Sequence, residues 1–158
     1  MKKNTHRLLV LLIVGVVLLT GCGSKLTKEF TITCTGNSNI MEGIKQTNTS
    51  IYKFDKDQYV TEYEITTVSV YDSAEVYQIY KESTEETVKS NDSDTITYNV
   101  KGDDATKTLT FGYKVTINKE DFNKLEDKDF YKAINVLNRA NTSGMQCTFD
   151  GITQEDIK

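Results

Sequence analysis

Thr108-Leu109-Thr110-Phe111-Gly112-Tyr113-Lys114-Val115-Thr116-Ile117 carries an apolar side chain at every second position without a miss. Successive side chains of a strand point to opposite faces, so Leu109, Phe111, Tyr113, Val115 and Ile117 share a buried face. Thr108, Thr110, Gly112, Lys114 and Thr116 then look toward solvent or a cleft. A half-buried antiparallel strand of this kind needs a sheet around it and something apolar on one side only.

Working outward, Ile96, Tyr98 and Val100 alternate in the same way, and Lys101-Gly102-Asp103-Asp104 supplies the turn that makes the two runs a hairpin. Near the start of the folded part, Phe30, Ile32 and Cys34 alternate with Thr31, Thr33 and Thr35. Gly36-Asn37-Ser38-Asn39 reads as a turn or loop, and residues 40–49 as a weak turn of helix at most. Residues 50–54 and 58–71 read as two strands joined at Asp55-Lys56-Asp57. In the second, the apolar phase changes from Tyr59, Tyr63 and Ile65 to Val68 and Val70, which predicts a bulge or bend between them.

Asp72-Ser73-Ala74-Glu75 has the form of a capping box with Asp72 as the cap, and Val76, Tyr77, Tyr80, Thr84, Thr87 and Val88 recur at helical spacing over residues 73–90. Asn118 caps a short turn holding Phe122 and Leu125. Phe130, Ala133, Ile134 and Leu137 at i, i+3, i+4, i+7 predict a further helix, stopped by Gly144. Met145, Cys147 and Phe149 give a short last strand. The expected order is β-β-β-α-β-β-α-α-β, an α+β fold with an antiparallel sheet and helices packed on one face. With proline absent, edge protection is expected from Lys114, Glu62 and Glu64.

The first residues have a different character. Lys2, Lys3 and Arg7 precede an apolar run over residues 8–19, and small residues follow. This is the charged, apolar and small-residue order of a secretion signal. Twelve residues rise only about 18 Å as a helix, short of a hydrocarbon core about 30 Å thick. The exit reads Leu19-Thr20-Gly21-Cys22 and resembles the bacterial lipobox, which implies cleavage before Cys22 and diacylglycerol attachment to its sulfur. The expected organisation is a signal peptide over residues 1–21, a lipidated N-terminus and short tether over 22–28, one globular domain over 29–150 and a polar tail over 151–158.

Cleavage takes 21 residues from 158 and leaves 137; basic side chains fall from 19 to 16 against 23 acidic ones, so the charge moves from −4 to −7. The single histidine, His6, leaves as well. A mature chain without imidazole has no Ser-His-Asp or Cys-His nucleophile and no histidine metal ligand. Its acidity argues against nucleic acid, which calls for a basic face. Neither a cofactor nor a metal is expected.

Cys34 and Cys147 remain once Cys22 is acylated, and both fall in phase with apolar neighbours. Two readings stay open for them: a disulfide permitted by export, closing a loop of about 113 residues and worth about 4–5 kcal/mol, or two buried thiols acting as small apolar residues. The acidic groups Asp55/Asp57, Asp92/Asp94, Asp103/Asp104 and Glu126/Asp127/Asp129 do not have the ligand spacing of a calcium loop and read as turns and caps. Nine tyrosines against no tryptophan include Tyr52, Tyr59, Tyr63, Tyr71, Tyr77, Tyr80 and Tyr98 on strands or on the helix above them. They fit sheet packing or a peptide or glycan groove.

The order of lipobox, polar strands, capped helix after a strand ending in tyrosine, Gly/Asp hairpin and the strand Lys107-Thr108-Leu109-Thr110-Phe111-Gly112-Tyr113-Lys114-Val115 resembles the YehR-like small lipoproteins. That resemblance implies an α+β envelope lipoprotein and no catalytic residue. The expectation is a non-enzymatic domain, lipid-anchored on the outer face of a bacterial, Gram-positive cytoplasmic membrane, with the membrane and an envelope protein as its partners. It would bind for, or assist, an envelope complex. The alternative is a small receptor holding a peptide, glycan or small molecule on the sheet.

Overall fold

The computed structural model describes residues 26–91 and 95–157. Cys22 and the secretion signal lie outside them, as do Asp92 and Asp94. Strands β1 (Phe30–Met41), β2 (Ile44–Phe54) and β3 (Val60–Tyr71) are followed by helix α1 (Ala74–Ser90), then by β4 (Ile96–Asp103) and β5 (Thr108–Thr116). A short α2 (Lys119–Lys124), a 3-10 turn (Asp129–Tyr131), α3 (Ala133–Thr142), β6 (Gln146–Asp150) and a second 3-10 turn (Gln154–Asp156) complete the fold. The class is mixed α+β. The strands form one antiparallel sheet in the order β4-β5-β3-β2-β1-β6.

The register decides which side chains share a face. Ile32 pairs with Phe149 and Tyr52, Tyr52 with Tyr63, Tyr63 with Val115, and Val115 with Ile96, one row across all six strands. The apolar residues of β5 therefore stand on the same side as those of β1. Two core clusters form on this inner face. Phe30, Ile32, Cys34, Phe54 and Val60 meet Ala133, Val136, Leu137 and Ala140 of α3. Ile44, Tyr71 and Leu109 meet Tyr77 of α1. The outer face carries Thr33, Thr35, Thr49, Thr66 and Thr110, which suit a pleated surface open to water.

Several local expectations are corrected. Gly36-Asn37-Ser38-Asn39 belongs to β1, and the turn lies at Glu42-Gly43, where Gly43 takes φ +83°. Polar side chains run up this hairpin because they bond across it: Thr47 donates to Asn37 and Asn48 to Ser38. Gly36 is in the strand because Met145 covers it; a Cβ there would stand 2.9 Å from Met145 Cγ. Between Lys53 and Ile44 the β2–β3 register is unbroken, so Val68 and Val70 simply face outward, and the irregularity sits at Lys53/Phe54. Helix α1 is capped by Ser73, which accepts from the Val76 N–H, and Asp72 instead accepts at its carbonyl from Lys107.

Phe130 precedes α3 and is 47% exposed, so the buried stripe is Ala133, Val136, Leu137 and Ala140. The edges of the sheet are β4 and β6. Glu62, Glu64 and Lys114 are on inner strands, where Glu62 bridges Lys53 and Lys114 at 2.7 Å each. Both lysines hold the Glu62 carboxyl below its ordinary range. Residues 151–157 are polar apart from Ile152 and Ile157, and these two pack on the α3 cluster.

Tyr77 is the single buried residue of α1. Its hydroxyl donates to Asp104 Oδ1 at 2.7 Å, and Lys81 reaches the same oxygen at 2.8 Å. Gly102 lies beneath, where a Cβ would come within 2.6 Å of the Tyr77 hydroxyl. Gly102→Ala is expected to lift this end of α1 and lower the melting temperature measurably. An unchanged melting curve would mean that the tyrosine and helix yield freely there.

Candidate functional site

Helices α1 and α3 cover different quarters of the inner face. One packs over Tyr71 and Leu109, the other over Ile32 and Phe54. Between them the sheet is left open as a trough. Beside α1 it forms a cavity of about 360 Å³ floored by Gln46, Thr67, Ser69, Leu109 and Phe111 and walled by Tyr80, Ser83, Thr84 and Thr87. Beside α3 it forms a second, of about 250 Å³, between Tyr52, Tyr63, Ile65 and Tyr113 on the sheet and Phe130, Tyr131 and Arg139. Ile65 and Thr67, like Phe111 and Tyr113, are successive inward positions of one strand, so the cavities adjoin at a spacing of roughly 7 Å.

The trough floor is ordered by its own contacts. Gln46 Nε2 donates to Ser69 Oγ at 3.0 Å, and Thr67 Oγ1 donates to Asn48 Oδ1 at 2.8 Å. Aromatic rings run across four strands: Tyr52 to Tyr63 and Tyr63 to Tyr113 at 6.2 Å, Tyr113 to Tyr98 at 6.4 Å, and Tyr98 to Phe111 at 6.2 Å. Burial pushes the Tyr63, Tyr113 and Tyr71 hydroxyls above their ordinary values. They stay protonated at neutral pH and can donate as well as accept. Among the described residues Arg139 is the one charged residue lining the two cavities, its guanidinium 3.7 Å from the Phe130 ring centroid.

The tyrosines singled out in the sequence separate into groups. Tyr52, Tyr63 and Tyr98 join the row of rings, Tyr71 and Tyr80 line the cavity beside α1, and Tyr77 is buried under the helix. Tyr59 lies elsewhere, edge-on to Phe122 at 4.9 Å. Sequence reading did not assign Gln46, Asn48, Thr67, Ser69, Phe130 or Arg139 to a site. Their only signal is the register, which a single sequence does not display.

Cys34 and Cys147 face each other across β1 and β6 and are joined by a disulfide. Of the described members of the acidic groups, several serve turns and caps, while Asp104 accepts from Tyr77 and Lys81 and Asp129 pairs with Lys132. Asp55 accepts from the backbone of Asp57 and Tyr59, Asp103 from Ala105 and Thr106, and Asp127 from Phe130. Among the described residues no three His, Cys, Asp or Glu side chains converge to hold a metal ion, and no helix is long and apolar enough to cross a membrane.

No family model matches the chain, and no curated protein matches it. Among solved structures it is similar to an NMR structure of a protein from Streptococcus pneumoniae TIGR4, at 17% identity and a TM-score of 0.45, covering 77% of this chain and 86% of that one.

Proposed function

We propose that this chain is a non-enzymatic binding module, lipid-anchored through Cys22 to the outer face of a bacterial cytoplasmic membrane, and that the trough between α1 and α3 holds its ligand. The observation that carries the reading is the open strip of inner face, lined by half-buried rings and by neutral hydroxyl and amide groups. Sheet surface left uncovered beside two helices, with tyrosines presenting apolar rings and polar tips, is suited to recognition. A mature chain without histidine, whose described acidic clusters are engaged in turns, caps and local ion pairs, supports binding over catalysis.

The anchor reading rests on Leu19-Thr20-Gly21-Cys22; four residues on, Leu26 packs against the α3 cluster. From Cys22 to Leu26 the chain spans at most about 14 Å. An acylated Cys22 would hold the Phe30 and Phe54 end of the sheet close to the headgroups. Membrane-embedded proteins would then be within reach, so service to an envelope complex is the second reading.

A peptide and oligosaccharide array probed with the mature protein tests the trough. Signals on the array should fall at least tenfold when Tyr63 and Tyr113 are both changed to alanine, with folding checked by circular dichroism. Binding that survives in a folded double variant, or a blank array with the unmodified protein, would contradict the reading.

A further inference from the structure

We propose that the trough takes a neutral carbohydrate chain, with sugar rings stacked on the faces of Tyr63, Tyr113 and Phe111, which Tyr98 backs from β4. The inference rests on the reading of the trough as the binding site and names the ligand class. A pyranose has an apolar C–H face and a rim of hydroxyls. It needs flat aromatic surface beneath and neutral groups beside it that both donate and accept. The structure supplies the first as separate ring faces that each take one sugar: Tyr98 and Phe111 lie within 27° of parallel at 6.2 Å, Tyr113 is tilted 46° from Tyr98, and Tyr63 stands edge-on to Tyr113 at 84°. It supplies the second in Gln46, Thr67 and Ser69, fixed in orientation by the Gln46–Ser69 bond and by Thr67's bond to Asn48.

Main-chain geometry separates a sugar from an extended peptide. Peptides that bind sheets usually add to an edge, where unpaired N–H and C=O groups receive their backbone. Here the floor is made by β2, β3 and β5, each flanked on both sides by another strand. Its backbone groups are engaged in the ladders, and recognition falls to side chains. A peptide laid on this floor would leave much of its own backbone without partners, which is costly on burial. Sugar hydroxyls can be met by side chains alone. Charge favours a neutral chain beside α1, where no described charged residue lines the cavity, Arg139 being confined to the α3 end.

The test is isothermal titration calorimetry on the lipid-anchored protein in nanodiscs, using cellohexaose, chitohexaose and maltohexaose, with a neutral Gly/Ser hexapeptide as the comparison. At least one hexasaccharide should bind. Tyr113→Ala should weaken it about tenfold, the size of one lost aromatic contact. Tyr113→Phe, which keeps the ring, should stay within about twofold, and Thr33→Ala on the outer face should change nothing. Hexasaccharide binding that is indifferent to Tyr113→Ala would place the sugar elsewhere and overturn the proposal. Peptide binding lost with Tyr113→Ala, and no hexasaccharide binding, would overturn the carbohydrate assignment and leave the trough as a binding site. No binding by either probe overturns the carbohydrate assignment, and with a blank array the trough reading falls too.

Discussion

Changing Cys34 and Cys147 together to alanine is expected to lower stability by about 4 kcal/mol. The two cysteines are 113 residues apart, so the bridge closes nearly the whole domain and removes many conformations from the unfolded chain. The native state also relies on it. β6 is an edge strand of five residues paired with β1 alone, and the chain beyond it must return to place Ile157, 7% exposed, on the α3 cluster. For a domain of this size the melting temperature should fall by roughly 10–20 °C. Calorimetry on the double variant, and on the unmodified protein under strong reductant, should give the same shift. A loss below about 1 kcal/mol would show that the β1–β6 ladder and α3 hold this end without the bridge.

Phe54→Ala should cost about 3–5 kcal/mol. The ring has no solvent exposure and stacks on Phe30 with centroids 4.8 Å apart and planes at 9°. It also sits at the β2–β3 irregularity that turns Val60 into the same cluster. α3 contributes Ala133 and Ala140 at its contact with the sheet, and side chains this short leave little material to collapse into the space. Urea denaturation should show a lower midpoint at an unchanged slope. A loss under about 1 kcal/mol would mean that the cluster repacks and that the sheet–α3 contact is looser than its burial indicates.

How much of this was legible depends on how far apart in the chain the deciding contacts lie. β5 was plain because alternation is a property of neighbours, and so were the outlines of α1 and α3. The β1–β2 hairpin was misread because its inward positions Gly36, Ser38, Asn48 and Gln46 look like loop residues when read singly. Cross-strand hydrogen bonds and the cover of Met145 make them strand residues. The site shows the same limit more sharply. Tyr52, Tyr63 and Tyr98 could be noticed as tyrosines, but their assembly with Phe111 and Tyr113 follows from pairings across four strands. Arg139 and Phe130 enter only because α3 begins at Ala133, which leaves Phe130 outside the helix and under the guanidinium.

The linear N-terminal signal is of the opposite kind, complete in about twenty consecutive residues and independent of any contact. In the proposed reading it would also set where the trough works, since a lipid on Cys22, only a few residues from Leu26, would leave the domain little freedom to stand away from a bilayer. The most direct measurement is fractionation of cells expressing the protein or Cys22→Ala, with labelled palmitate in the medium. The account predicts label and membrane recovery for the unmodified protein, and loss of the label with release from the lipid-anchored fraction for the variant. A Cys22→Ala protein that still carries the label and still sediments with membranes would contradict it.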